Sequence, residues 1–322
     1  MDFEKYTDRL FCTGIVPVIK LEEESDAVAL AGALRAGGIY AAEVTFRAAG
    51  ADKVIKSMRQ AFPDMLVGAG TVLTVEQADA AIDAGAQFCV APGLNSSVAK
   101  HCIKRGVPFT PGVSSGSEIE SAMELGINFV KFFPAEQAGG LAYIKAVSAP
   151  YSSVKFMPTG GINEKNMRDY LAFKKVVCCG GSWIVPDKLV KAKAWKEITA
   201  LCRDAVDKML DFSVVHVGVN CENEQDAVSG AAFFEKAFSF QKDERSTSIF
   251  AGSGVEFMKS PYLGKNGHIA VGTSNVKRAM FQLEKRGISF DLSTLKTAAD
   301  GEYVSIYLQE EVCGFAVHIV KK

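Results

Sequence analysis

Hydrophobic and polar positions alternate in blocks from Ile15 to Ile184. A short apolar or β-branched run is followed by an amphipathic stretch rich in Ala, Lys and Glu, then by another run. The runs are IVPVIK (15–20), YAAEVTF (40–46), LVGAGTV (66–72), FCVAP (88–92), PFTPG (108–112), FVKFF (129–133), KFMPT (155–159) and VVCCG (176–180). Short apolar runs bounded by turn residues read as buried strands. The stretches between them, such as DAVALAGALRAGG and VEQADAAIDAGA, end near a glycine, as helix C-termini often do. Alternating βα units predict a parallel sheet with right-handed crossovers. Eight such units in about 200 residues fit a closed (β/α)8 barrel. An open doubly wound sheet is the alternative. It wants a glycine fingerprint after the first strand, and IVPVIKLEEES has none.

A barrel of this kind carries its chemistry at the C-terminal ends of its strands and its phosphate site beyond strands 7 and 8. The sixth run holds Lys131 among Val130, Phe132 and Phe133. Burying an ammonium is costly, burial disfavours the charged form of an amine, and a neutral amine attacks a ketone to form a Schiff base. The alternative is an edge strand whose lysine snorkels to solvent. The second run ends Glu43-Val-Thr45-Phe-Arg47, and in extended chain these three charged or polar side chains share one face. Glu43 is then a candidate general acid or base beside Lys131, or the partner of Arg47 in a salt bridge. Arg47 suits a substrate carboxylate as a bidentate fork, or is a surface arginine. Thr71, after Gly68-Ala-Gly70, is a further donor to that carboxylate, or a packed strand threonine. Gly160-Gly161 and Gly180-Gly181-Ser182 follow the seventh and eighth runs. Bare backbone N–H groups at such turns wrap an anion, with helix N-termini behind them.

Composition narrows the class. Of 322 residues, 48% are apolar and 23% charged, with a net charge of -1, the profile of a soluble globular protein of about two domains. No basic tract offers a footprint for nucleic acid or an anionic membrane. The opening MDFEKYTDRLF lacks a signal-peptide core, and no apolar run is long enough to cross a bilayer. The eight cysteines form no CxxC pair, and Cys178-Cys179 sit in an apolar segment as buried thiols. A cytoplasmic location is expected.

The segments EVTFR, GAGTV, APG, PGVSSGSE, KFFPAE, PTGGI and GGSW, in this order over residues 8–210, resemble the 2-keto-3-deoxy-6-phosphogluconate (KDPG) / 4-hydroxy-2-oxoglutarate (KHG) aldolase family. The resemblance implies a class I aldolase on a (β/α)8 barrel, without a cofactor, usually a homotrimer. It implies Lys131 as the Schiff-base lysine and Glu43 as the proton-transferring carboxylate. Arg47 and Thr71 match residues that hold the pyruvate carboxylate, and Pro92 and Phe133 match the lining of the pyruvyl pocket. Thr159, Gly160, Gly161, Gly181 and Ser182 match the phosphate end. The implied substrate is a phosphorylated 2-keto acid, KDPG giving pyruvate and glyceraldehyde 3-phosphate, or 4-hydroxy-2-oxoglutarate giving pyruvate and glyoxylate. Phe46, Ala91 and Gly116 depart from the commoner residues and leave acceptor preference open.

Beyond residues 1–210 about 110 residues remain, enough for another domain. Residues 211–322 read as two similar halves. FSVVHVGVN, a helix (EQDAVSGAAFFEKAF), SIFAG and GVEFMKS make one. GHIAVGT, a helix (NVKRAMFQLEKRGI), EYVSIYLQ and GFAVHIVKK make the other. A repeated βαβββ unit, an α+β domain, resembles the vicinal-oxygen-chelate superfamily, which includes glyoxalase I and methylmalonyl-CoA epimerase. That superfamily holds a metal with ligands from the first and last strands of each half. The matching positions are His216, Glu256, His268 and His318, the last a departure from the usual Glu. The chain has four histidines, and three fall there. The resemblance implies a divalent cation such as Zn, Mn, Ni or Co and a metal-dependent isomerase or epimerase of a related sugar acid. The alternative is a metal-free oligomerisation or ligand-sensing module.

Overall fold

The computed structural model describes residues 3–322. The chain divides into two compact units, Met1–Met209 and Leu210–Lys322. No helix among the described residues is long and apolar enough to cross a membrane.

In the first unit β1 (Ile15–Ile19), β2 (Ala41–Thr45), β3 (Leu66–Gly70), β4 (Cys89–Val90) and β5 (Phe109–Thr110) pair in parallel. So do β6 (Gly112–Val113), β7 (Phe129–Phe132) and β8 (Lys155–Pro158). β9 (Cys179–Gly181) pairs with β1, and bridges from Phe156 to Val176 and Thr159 to Gly180 join it to β8. β5 and β6 are one stave broken at Pro111, so the ring closes with eight staves. The break corrects the continuous run expected over 108–112, because proline has no N–H for the ladder. The final stave begins later than the expected 176–180, at Cys179. Helices start on side-chain caps at Thr74, Asn95 and Ser115, each accepting from backbone N–H groups of its first turn.

Alternate strand residues face the barrel interior. Ala41, Leu66, Phe88, Val90, Phe129 and Met157 form its lower core together with Tyr6 and Leu10 of the helix Phe3–Thr13. Tyr6 is fully buried, with its ring 5.3 Å from Phe88 and 5.8 Å from Phe129, and its hydroxyl lies 2.9 Å from Thr110 Oγ1. The helix therefore plugs the end of the barrel opposite the strand C-termini.

The second unit is one eight-stranded sheet with two helices. Its elements run β10 (Ser213–Asn220), helix Glu224–Phe238, β11 (Lys242–Glu244), β12 (Ser248–Ala251) and β13 (Val255–Met258). They continue with β14 (Gly267–Thr273), helix Val276–Lys285, β15 (Phe290–Thr297), β16 (Tyr303–Val312) and β17 (Phe315–Lys321). The spatial order is β11-β12-β13-β10-β14-β17-β16-β15. The two first strands thus lie side by side at the centre, and the last strand of each half flanks them. β11 and β15, the sheet edges, have no counterpart among the runs picked out in the sequence, since KDE is wholly polar and exposed and FDLSTLKT mostly faces solvent.

Candidate functional site

Lys131 and Glu43 meet inside the barrel at the C-terminal end. Lys131 lies at an interior position of β7, 5% exposed, and Glu43 at an interior position of β2, with no exposure. Lys131 Nζ donates to Glu43 Oε1 at 3.2 Å, and the other carboxylate oxygen, Oε2, has no hydrogen-bond partner among the described residues. The snorkelling-lysine alternative is excluded by the burial of Lys131 between paired strands.

The other expected residues lie just beyond the strand ends. Arg47 is exposed in the turn after β2 rather than on the strand, with its Nε 3.4 Å from Thr45 Oγ1. Thr45 does not face Arg47 as a free donor, because its hydroxyl donates to Ile19 O at 2.9 Å. A Glu43–Arg47 salt bridge does not form; the partner of Glu43 is Lys131. Thr71 follows β3 in the left-handed region, φ 56°, which turns the chain sharply at the barrel rim. Pro92 is exposed after β4. Phe133 follows β7, and its ring lies 5.4 Å from Lys131 Nζ. Thr159 is 5% exposed after β8, and Gly160 and Gly161 both have positive φ, 98° and 80°, which glycine tolerates best. Their loop is tied to the loop after β7 by Ala135 N to Thr159 O, 2.8 Å, and Glu136 N to Gly160 O, 3.1 Å. Gly181 ends β9 and Ser182 is exposed after it.

Two features at this rim escaped sequence reasoning. The Tyr170 hydroxyl donates to Glu136 Oε1, pinning the loop after β7 to the helix Met167–Ala172, and burial together with this bond pushes the Tyr170 hydroxyl up. Lys20 donates to Glu22 at 2.6 Å just past β1. Glu136 stands inside the quoted KFFPAE segment, but nothing local marks Tyr170 as its partner 34 positions away.

In the second unit His216 on β10, Glu256 on β13, His268 on β14 and His318 on β17 come from four neighbouring strands; the three histidines cluster, and Glu256 pairs with His216 and His268. Ligand atoms of the three histidines lie within 4.8 Å of one another. Glu256 Oε2 is 3.3 Å from His216 Nε2 and 3.1 Å from His268 Nε2, and the two Nε2 atoms are 3.2 Å apart. Burial raises the Glu256 pKa, but hydrogen bonds from His216, His268 and Ser248 outweigh it and hold the carboxyl well below its usual range. Burial, then the charges of His268 and His216, push His318 down to about 3. Among the described residues neither His318 nitrogen has a hydrogen-bond partner, nor does His268 Nδ1. His101, the fourth histidine, lies apart and bonds Asp79 at 2.9 Å.

This donor set is one that can hold a divalent cation. For both histidines to donate to Glu256 Oε2, both Nε2 atoms need protons, and two N–H groups then face each other at 3.2 Å. A cation takes the lone pairs of all three atoms at once. Two ligand atoms on one tetrahedral zinc at about 2.0–2.1 Å lie about 3.3 Å apart, close to the three separations observed. Space has been cleared as well: a Cβ on Gly218 would lie 2.0 Å from the His268 ring.

A buried amine beside a buried carboxylate at the mouth of a closed barrel is a pair equipped for carbonyl chemistry. The family model for KDPG and KHG aldolases matches residues 7–201, and the chain belongs to that family. It is an aldehyde-lyase. The 2-dehydro-3-deoxy-phosphogluconate aldolase of Treponema pallidum (strain Nichols) is 50% identical over 192 residues, 60% of this chain and 91% of that protein. The KHG/KDPG aldolase of Escherichia coli (strain K12) is 43% identical over 201 residues, 62% of this chain and 94% of that one. Among solved structures, the KDPG aldolase of Legionella pneumophila, with pyruvate captured at low pH as a covalent carbinolamine intermediate, aligns with TM-score 0.60 and 44% identity. It covers 62% of this chain and 97% of that one.

Proposed function

We propose that the barrel cleaves 2-keto-3-deoxy-6-phosphogluconate to pyruvate and glyceraldehyde 3-phosphate, or 4-hydroxy-2-oxoglutarate to pyruvate and glyoxylate, through an imine on Lys131. The observation that carries this is the 3.2 Å contact between a buried lysine and a buried glutamate at the strand C-termini. The Lys131 amine adds to the C2 ketone, and loss of water leaves a protonated imine. Glu43 takes the proton of the C4 hydroxyl, the C3–C4 bond breaks, and its electron pair passes into the imine to give an enamine and a free aldehyde. Protonation at C3 and hydrolysis release pyruvate and restore the amine. In this reading Arg47 and Thr71 hold the substrate carboxylate, Pro92 and Phe133 line the pyruvyl pocket, and Thr159 with the glycine turns 160–161 and 181–182 holds the distal phosphate. The turn at Gly160-Gly161, both with positive φ, supports the last assignment, because bare backbone at the barrel rim can wrap an anion.

For residues 211–322 we infer a glyoxalase-like domain that holds a divalent cation on His216, Glu256, His268 and His318. Bound there, the cation would polarise an oxygen of a sugar-acid ligand. The residues' own part is to keep Glu256 ionised, with Ser248 Oγ donating to its Oε1 at 2.5 Å, and to offer ring nitrogens from largely buried side chains, His318 held neutral by its burial.

One set of preparations, made without chelator, tests both readings. Pyruvate release from 2-keto-3-deoxy-6-phosphogluconate is measured with and without EDTA, for the parent protein and Lys131→Ala, alongside borohydride trapping with pyruvate and metal analysis. The parent is expected to cleave regardless of EDTA and to be trapped, and Lys131→Ala to do neither. Near-normal turnover by Lys131→Ala would overturn the imine reading. Less than about a tenth of an equivalent of divalent metal per chain would overturn the cation reading.

A further inference from the structure

The interior face of β3 consists of Leu66, Gly68 and Gly70, so two of its three inward positions have no side chain. Neither glycine lies in the left-handed region, so the backbone does not demand glycine at either. Space does. A Cβ on Gly68 would lie 2.5 Å from ring atoms of Phe88, which reaches in from beside β4. A Cβ on Gly70 would lie 2.3 Å from Glu43 Oε1, 2.6 Å from its Cγ and 2.8 Å from its Cδ, and these are its three nearest atoms. Glu43 is in register with Gly68, not Gly70. With the Phe88 ring filling the hollow at Gly68, the Glu43 side chain runs up the barrel instead and lies over Gly70. The oxygen nearest the place a Cβ would take is the one that accepts from Lys131 Nζ at 3.2 Å.

We propose that Gly70 is a positioning residue for the lyase reaction, its missing side chain forming the socket that seats the Glu43 carboxylate against Lys131. The proposal rests on the reading of Glu43 as the proton-transferring carboxylate. A methyl group at position 70 would overlap Oε1, Cγ and Cδ of Glu43, its three nearest atoms. The carboxylate must then move by about 1 Å, a misplacement large enough to cost about 100-fold in rate. Lys131 stays fixed on β7, and what it loses is its contact with Glu43 Oε1. Gly70 therefore acts through the Glu43 carboxylate, which separates it from a residue that merely supports the fold.

The test is Gly70→Ala, alone and combined with changes at Glu43. In Gly70→Ala, kcat on 2-keto-3-deoxy-6-phosphogluconate is expected to fall about 100-fold, while the final extent of borohydride trapping with pyruvate stays at the parent level. In the Glu43→Gln background the same alanine is expected to cost nothing further, because the group it displaces no longer transfers a proton. If Glu43→Gln is inactive and Gly70→Ala has parent kcat, the socket is refuted and the Glu43 reading stands. If Glu43→Gln turns over normally, the Glu43 reading fails and takes the socket with it. A Gly70→Ala protein that melts early is decided by Glu43→Ala/Gly70→Ala. Melting with Glu43→Ala supports the socket, and melting as low as Gly70→Ala overturns it.

Discussion

Glu43 in the first unit and His268 in the second each lie against a glycine of the neighbouring strand, Gly70 and Gly218. In the second unit Gly218 stands opposite His268 in the β10–β14 register, and the imidazole lies over its bare Cα. A Cβ there would meet Cε1 at 2.0 Å and both ring nitrogens at 2.4 Å. Gly218→Ala is therefore expected to swing His268 out of the cluster and lower the divalent-metal content of purified protein at least about tenfold, as a lost supporting group does at metal sites. Metal analysis beside His268→Ala checks it, and a parent-like content would show that His268 is dispensable. Lys131 was legible without any structure, because a lysine in an apolar run is chemically out of place. The same holds for the three strand histidines in a chain with four. Gly70 and Gly218 were not legible as sockets. A glycine in a strand has many causes, and the side chain that needs its space belongs to another strand.

At the scale of elements, the rhythm of apolar runs located the eight barrel staves, because period and turn chemistry are local properties. Boundaries drifted where pairing decides them. Val176 and Val177 are buried yet lie outside β9, which begins at Cys179 where the ladder to β1 begins. The edge strands β11 and β15 were missed for a related reason: a strand at a sheet edge can stay polar, so hydrophobic pattern does not reveal it. The helix Phe3–Thr13 shows what an element contributes beyond its own length. Tyr6 drives its ring between Phe88 and Phe129 and closes the barrel floor. Tyr6→Ala is expected to destabilise the first unit by about 3–5 kcal/mol through the cavity it leaves. Tyr6→Phe, which strands the Thr110 hydroxyl, should cost less, about 1–3 kcal/mol. Urea unfolding followed by tryptophan fluorescence measures both. Equal midpoints for the parent and Tyr6→Ala would mean that the plug is not part of the core.

At the scale of the whole molecule, the two units should respond differently to acid. His318 has an ordinary value of 6.5 and is pushed down to about 3 in the folded chain, first by burial. Between those values the unfolded chain binds a proton that the folded chain does not. The stability this group contributes is present above 6.5 and lost as pH falls toward 3. Glu256, also depressed on folding, adds a loss below its usual 4.5. Metal-free protein should therefore lose the second unit first on acidification. The chain has two tryptophans, Trp183 and Trp195, both in the first unit, so their fluorescence reports the barrel while far-ultraviolet circular dichroism reports both units. The dichroism change is expected to begin at higher pH than the fluorescence change. Coincident transitions would show that the histidine cluster does not govern acid stability.

The sequence by itself determined the alternation that makes a parallel barrel, the misplaced lysine, the glycine turns after the last two staves and the change of pattern near residue 210. These are properties of neighbours along the chain, where periodicity, propensity and residue chemistry act directly. Only the tertiary structure decided that Glu43 pairs with Lys131 rather than Arg47, that Gly70 seats its carboxylate, and that neighbouring strands cluster His216, His268 and His318 with Glu256 against the first two. The reason is register. Glu43 and Lys131 are 88 positions apart, and their separation is set by how β2 and β7 are staggered around a closed ring, a constraint that no local stretch of either strand contains.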